Sequence, residues 1–227
     1  MSLNDFIMTN EMPIRLGFFF GIFALMALWE IASPRRHLRT SKAIRWSNNL
    51  GLVFFNSFLL RLVFPAAAVG MAVFASEQGW GLFHYTAAPF WVAVLASVVI
   101  MDFFIWLQHV MVHAVPLLWR LHRVHHADLD YDVTTGARFH PLEILLSMLI
   151  KFVVIMLLGP PVVAVVIFEV VLNATAMFNH GNVRLPKMLD RYLRLIVVTP
   201  DMLAIPFVGR VQDYAINRRQ WGDDHEQ

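Results

Sequence analysis

The chain of 227 residues has a mean hydropathy of +0.60, with 58% hydrophobic and only 15% charged residues. Soluble domains carry roughly 25% charged residues, so these values exclude a disordered chain, a coiled coil and an ordinary soluble domain, and they indicate a polytopic membrane protein. The formal net charge of +2 comes without a dense Lys/Arg tract, which argues against nucleic-acid binding, and the absence of cysteine excludes disulfides, thiolate catalysis and Cys-ligated metals.

The apolar residues fall in four runs, at residues 16–33, 50–76, 87–107 and 142–178. Because a helix needs about 20 residues to cross about 30 Å of hydrocarbon, each of the first three runs predicts one spanning helix. The residues before the first run are acidic at Asp5 and Glu11, whereas a signal peptide begins with basic residues. The first run is therefore interpreted as a retained span.

The fourth run is too long for one spanning helix, and each of its halves is slightly short. The segment Gly159-Pro160-Pro161 interrupts it, and Gly and Pro mark turns. Two spans joined by a tight turn are the economical interpretation, and a re-entrant hairpin is the alternative. The sequence thus predicts an all-α polytopic membrane protein with four to five transmembrane or re-entrant helices and a cytosolic histidine-rich cap.

Basic residues are distributed unevenly between the loops. Segment 34–46 is rich in Lys and Arg, whereas Glu77 is the only charged residue of segment 77–86. Since cytosolic loops carry the excess of Lys and Arg, we expect the N-terminus outside and segments 34–46 and 108–141 and the C-terminal tail in the cytosol. Residues 184–198 place apolar and basic side chains on different helical faces, which predicts a helix on the inner leaflet or a small helix packed on the rest.

Histidines gather in one part of the chain. Seven of the ten lie between residues 109 and 180, and five lie between 109 and 126. His109 and His113 are four residues apart, so both would project from one face of a helix. The others are His122, His125, His126, His140, which precedes Pro141, and His180, which follows the return span. Imidazole is the commonest nitrogen ligand of metals, so the pattern predicts a metal site, with a proton relay or pH sensor as the alternative.

The residues also constrain the kind of metal. Seven histidines are more than one zinc can use, and a bis-His haem needs single histidines on facing helices. Two metal ions in a nitrogen-rich cradle fit better, and without thiolates iron that activates dioxygen is the favoured assignment. Paired zinc ions remain an alternative.

Carboxylates near the histidines are candidates for supporting roles. Asp102 lies seven residues before His109 on the same helical face, so it could accept a hydrogen bond from a ligating ring or pair with an arginine. Asp128, Asp130 and Asp132 are expected to cap and turn the loop after the second histidine group. Glu143 is expected to cap the helix that begins at Pro141.

These motifs together resemble the integral-membrane fatty acid hydroxylase/sterol desaturase superfamily. The resemblance covers about residues 102–202, and the flanking apolar runs agree with it in character. It rests on five motifs in order: His109-x3-His113, residues 118–126 (LWRLHRVHH), residues 138–143 (RFHPLE), residues 178–182 (FNHGN) and residues 198–202 (VTPDM).

The resemblance implies a helical membrane oxidoreductase with a histidine-ligated diiron centre on its cytosolic side. Such enzymes hydroxylate or desaturate lipids with dioxygen, so a lipid substrate in the bilayer and an external electron donor are the implied partners. Six residues match the family's metal ligands: His109, His113, His122, His125, His126 and His180. His140 matches a further family motif and is the seventh candidate ligand.

The sequence departs from the family after Met202. A final His-x2-His-His cluster is expected there, but residues 203–208 read LAIPFV and the next histidine is His225. We therefore divide the chain into a family-like membrane domain at residues 1–202 and an atypical tail at residues 203–227, for which truncation, a frameshift and divergence are the alternatives. Two irons are expected for the family and fewer here. A catalytically degenerate protein that binds lipid or metal, and a zinc-dependent membrane hydrolase, are the functional alternatives.

Overall fold

The structure is a computed structural model that describes residues 3–86 and 88–204. This part of the chain is mostly helical and contains no strand, which confirms the all-α prediction. The predicted tail from residue 205 onward lies outside the described residues. The helices are α1 (Leu3–Ala32), α2 (Lys42–Val63), α3 (Ala68–Glu77), α4 (Leu82–Tyr85), α5 (Phe90–Ala114), α6 (Pro116–His126), α7 (Pro141–Leu158), α8 (Val162–His180), α9 (Lys187–Leu193) and α10 (Pro200–Ala204), with a 3₁₀ turn at Thr135–Ala137.

Five segments are long and apolar enough to cross a membrane. They are Phe6–Ala32, Lys42–Tyr85, Phe90–Ala114, Pro141–Leu158 and Val162–His180. Large apolar side chains such as Leu28, Phe58 and Leu95 are exposed on the outside of the bundle. This distribution is typical of helices that face lipid.

The core of the bundle consists of small and branched side chains. α3 and α5 both pack against α7 and α8. Ala68 and Ala72 of α3 are fully buried, as are Ile155 of α7 and Ala164 of α8. Small residues allow helix backbones to approach closely, which is how helices associate in lipid without a hydrophobic driving force.

The fourth apolar run folds as two helices, α7 and α8, that run in opposite directions. Gly159 lies between them with a φ of 58°, in the left-handed region that favours glycine. A Cβ at Gly159 would also lie 2.2 Å from the carbonyl oxygen of Trp80. Both the backbone conformation and the lack of space therefore require glycine at this turn. The helices on either side of it, α7 with 18 residues and α8 with 19, are each long enough for one span.

Loops and short helices connect the spanning helices at the two ends of the bundle. At one end, which we call the cap end, α1 and α8 finish, α2 and α7 begin, and α5 leads into α6. The Oε1 atom of Glu30 in α1 accepts the N–H groups of Val133 and Asn182 at 2.7 and 2.9 Å, which ties three parts of the chain together there. At the opposite end, Trp80 and Gly81 contact the turn at Gly159.

One group of charges lies within the bundle. Glu169 of α8 is buried between Arg15 of α1, at 3.1 Å, and Lys151 of α7, at 3.6 Å. Charges at membrane depth are costly unless they pair with each other. This pairing explains how the fourth apolar run accommodates Lys151 and Glu169.

The helix predicted at residues 184–198 is shorter than expected. Only Lys187–Leu193 is helical in this segment, because Pro186 starts the helix and the chain turns after Arg194. Leu195 and Ile196 beyond it are 81% and 89% exposed.

Candidate metal centre

Six of the seven clustered histidines come together at the cap end. They are His109 and His113 of α5, His122, His125 and His126 of α6, and His180 of α8. The ring centroids of His113 and His122 are 4.7 Å apart, and those of His125 and His180 are 4.6 Å apart. The side chains of His122 and His125 are essentially inaccessible to solvent.

A sharp bend between two helices brings the first two groups together. Val115 is extended, as expected for a residue before proline, and Pro116 begins α6 in the first turn, where its missing N–H costs nothing. α6 therefore folds back onto the end of α5. The rings of His109 and His113, which share one face of α5, then lie opposite the histidine rings of α6, which share one face of that helix.

The third helix of the site, α8, packs closely against the 3₁₀ turn at Thr135–Ala137 because the turn contains Gly136. A Cβ at Gly136 would lie 2.4 Å from the carbonyl oxygen of Ala176, so only glycine lets the 3₁₀ turn lie against this helix. The same carbonyl accepts a hydrogen bond from Nδ1 of His180 at 2.8 Å. The close contact thus brings the loop after α6 next to the histidine of α8.

The nitrogen atoms converge at distances that suit a metal. Ligating atoms of His109, His113 and His122 all lie within 4.8 Å of one another. The Nε2 atoms of His125 and His180 are 2.9 Å apart, and those of His122 and His126 are 3.1 Å apart. Two ligands at right angles on a metal with bonds of about 2.1 Å would be about 3.0 Å apart. The donor set therefore fits metal ions held by nitrogen.

Other contacts fix the rings from behind. Nδ1 of His122 lies 2.7 Å from Oε1 of Glu143, and Nδ1 of His125 donates to the carbonyl of Arg138 at 3.0 Å. Each of these contacts holds Nδ1 and leaves Nε2 directed at the centre, as in carboxylate–histidine–metal arrangements. The prediction that Glu143 caps α7 is wrong: His140 is the cap, and its Nδ1 accepts the N–H of Leu142 at 3.1 Å.

Burial keeps the rings of His125 and His126 neutral. It lowers the pKa of His125 and His126 well below the ordinary value, and the neighbouring imidazoles lower it further because a second positive charge would be repelled. A metal binds the neutral ring, so these histidines need no deprotonation at neutral pH.

A buried ionic network lies directly behind α6. Arg45 of α2 donates to both oxygens of Asp128 at 2.8 and 2.9 Å, to Asp132 at 2.8 Å and to the carbonyl of Asp130. Asn49, one turn further along α2, donates to Asp128 and to Thr134. The loop that follows His126 is therefore fastened to α2.

The three aspartates of this loop have structural roles, as predicted. Burial alone would raise the pKa of the Asp128 carboxyl, but hydrogen bonds from Arg45 and Thr135 outweigh burial and hold this pKa below its ordinary value. Asp130 accepts from the backbone N–H groups of Arg39 and Thr40. These contacts shape the loop.

The structure shows supports that sequence analysis missed. Arg45 and Glu30 were not selected. Glu30, a charged residue near the end of the first apolar run, signals a buried partner, whereas Arg45 lies in the basic segment 34–46 and carries no such signal. Asp102 is exposed and makes no hydrogen bond to a histidine within the described part of the chain. The ring of His140 is likewise outside the group of mutual ring contacts among these residues. Roles for Asp102 and His140 at the metal centre stay predictions.

The fold and the site together define an integral membrane protein whose helices end in a histidine-lined centre able to hold metal. Residues 94–204 match the family model described as fatty acid hydroxylase. The match confirms, for this part of the chain, the resemblance to the fatty acid hydroxylase/sterol desaturase superfamily that the motifs predicted. No curated protein and no solved structure shows a significant match to the chain.

Proposed function

We propose that the protein oxidises a long-chain lipid, by hydroxylation or desaturation, at a histidine-ligated iron centre with dioxygen as the oxidant. The observation that carries this proposal is the convergence of six imidazoles from three helices at one end of an apolar bundle. The match to the fatty acid hydroxylase family supports the class of substrate. A lipid in the bilayer and an external electron donor are the proposed partners.

The histidines fall into two candidate ligand sets. Nitrogen atoms of His109, His113 and His122 form one candidate ligand set, and those of His125 and His180 form the core of a second. Iron, when bound, would supply the activation of dioxygen needed to remove a hydrogen from an unactivated carbon. The chain itself orients the rings, and its apolar helices exclude bulk water from the substrate.

We further propose that this chain holds fewer than two irons and turns over slowly. The expected cluster after Met202 is absent, and metal affinity depends on the number of ligands and on their pre-formed geometry. Restoring a His-x2-His-His segment after Met202 should raise both iron content and activity. Two tightly bound irons and robust lipid oxidation by the unmodified chain would contradict this part of the proposal.

The test of the function is metal and product analysis of purified protein in neutral detergent. Iron that co-purifies, dioxygen consumption that depends on added lipid and reductant, and labelled oxygen or a new double bond in the product would support it. Zinc without dioxygen consumption would instead support the hydrolase alternative. Bound metal or lipid without turnover, even after the histidine segment is restored, would support the degenerate alternative.

We propose that the cap end lies in the cytosol, because it carries the arginine-rich segment 34–46. The chain lacks cysteine, so single cysteines report sidedness. Leu129 is 78% exposed and suits a label at the cap end, whereas neighbouring Asp130 is buried. Leu129→Cys should react from the cytosolic side only, and Gln78→Cys, at the opposite end, from the other side only. The reverse pattern would overturn the orientation.

A further inference from the structure

A small cleft opens at the cap end beside His180. It is lined by residues 35 and 36, by Tyr131, by residues 179–182 and by Pro200. The ring centroids of Tyr131 and His180 are 6.2 Å apart, so the cleft is adjacent to the histidine centre.

The backbone fixes the two arginines of the cleft in place. Pro34 and Val183 form an antiparallel bridge, and the N–H of Arg35 donates to the carbonyl of Asn182 at 3.0 Å. The side-chain amide of Asn182 donates to the carbonyl of Arg36 at 2.8 Å and accepts its N–H at 3.1 Å. Loop 33–36 is thus attached to Asn182 and Val183, which follow His180 closely in the chain.

The charges of the cleft are incompletely compensated. Arg35 pairs with Asp201, whereas the guanidinium of Arg36 lies over the ring of Tyr131 at 5.6 Å. Nη2 of Arg36 and Oδ1 of Asn179 are buried and have no hydrogen-bond partner among the described residues. Buried polar atoms are normally satisfied, and leaving one unpaired destabilises the protein. The pair therefore indicates a missing polar group.

We propose that this cleft binds an oxyanion, a carboxylate or a phosphate, and that the anion is the headgroup of the lipid substrate. The planar guanidinium of Arg36 matches such oxyanions in shape and charge, and rotation of the Asn179 amide by half a turn would present its N–H₂ instead of its oxygen. The net positive charge of Arg35, Arg36 and Asp201 favours an anion. This inference rests on the proposed function and adds the chemical class of the substrate's head.

The experiment measures ligand binding without turnover. Purified full-length protein in neutral detergent is titrated with a long-chain fatty acid, its methyl ester, acetate and inorganic phosphate, and the thermal unfolding midpoint is followed, because a ligand that binds the native state raises it. We expect the acid to bind at least about tenfold more tightly than the ester, since charge-assisted hydrogen bonds are lost in the ester. Equal binding of acid and ester would overturn the proposal.

Variants locate the effect. Arg36→Gln should remove the preference for the acid and Arg36→Lys should keep part of it, whereas Arg39→Gln, an exposed arginine of the same segment, should keep it fully. Acetate or phosphate that binds as strongly as the fatty acid would mean that the cleft takes free anions, and the lipid assignment would fail. Headgroup preference without lipid oxidation, even after a His-x2-His-His segment is restored after Met202, would refute the proposed function and leave the oxyanion site standing. Lipid oxidation without headgroup preference would refute the oxyanion site and leave the proposed function standing.

Discussion

The cap end and the apolar bundle are stabilised by different interactions. In the bundle, Ala72 and Ile155 are buried among other apolar side chains and need only space. At the cap end, Arg45, Asp128 and His122 are also buried, but each depends on specific polar partners. Packing tolerates changes of shape, whereas a buried polar group that loses its partner is strongly destabilised. Changes at the cap should therefore reduce metal binding, either directly or by destabilising the cap, whereas changes in the bundle should affect stability alone.

The largest effect on metal binding, with the least effect on the stability of the bundle, should come from His125→Ala. Nε2 of His125 is 2.9 Å from that of His180, so its loss removes a candidate ligand from the centre. We expect metal affinity to fall by more than the 10–100-fold typical of a supporting residue. Helical content, measured by circular dichroism, should stay unchanged because the bundle satisfies its own backbone.

The control for this change is His37→Ala, which alters an exposed histidine outside the cluster. It should leave the metal content at the wild-type level. Full metal occupancy in His125→Ala would show that the cluster is not the site.

Arg45→Met should destabilise the cap next most strongly. The change leaves Asp128 and Asp132 buried without their cation, and breaking a buried ion pair in this way typically costs about 3–5 kcal/mol. The expected result is faster proteolysis of the loop after α6 and loss of metal, with the helices of the bundle intact. Arg61→Met, an exposed change on the same helix, serves as the control. Wild-type protease resistance in Arg45→Met would refute a stabilising role for the network.

Glu143→Gln should have a smaller effect that is confined to the metal. The amide keeps the shape of the side chain but removes the charge that orients His122 from 2.7 Å. A loss of metal affinity of about 10–100-fold is expected, with an unchanged unfolding midpoint of the metal-free protein. Competition with a chelator measures the affinity, and Glu77→Gln at an exposed site is the matched control. Unchanged affinity would mean that the contact does not support a ligand.

The smallest effect is expected from Gly159→Ala, in the bundle. A non-glycine residue in the left-handed region costs about 1–2 kcal/mol, and the carbonyl of Trp80 leaves no room for the methyl group. The unfolding midpoint should fall while metal affinity stays the same. Gly17→Ala, where nothing lies near the new methyl group, should not lower the midpoint. A change in metal affinity in Gly159→Ala would show that the two regions are coupled.

The features that could be predicted from the sequence are those set by the local spacing of residues. Apolar run lengths predicted the spans, and the i, i+3 and i, i+4 spacing of His122, His125 and His126 predicted a shared face, because a helix repeats every 3.6 residues. The supporting contacts were not predictable in this way. Arg45 meets Asp128 across 83 positions of sequence, and Glu143 meets His122 across 21. Helical periodicity carries no information about which distant charge will be a partner, so Glu143 was assigned to the nearest helix end.

The ion pair between Arg15 and Glu169 has a consequence for the assembly of the protein. α1 is synthesised before α8, so Arg15 enters the bilayer with Glu11, one turn away at 2.6 Å, as its nearby acidic group. Its second partner arrives only with a helix made much later. The first span therefore acquires its final neighbours only after the last described span has been inserted, and a quality-control protease that recognises incompletely paired membrane helices would have the whole of that interval in which to act.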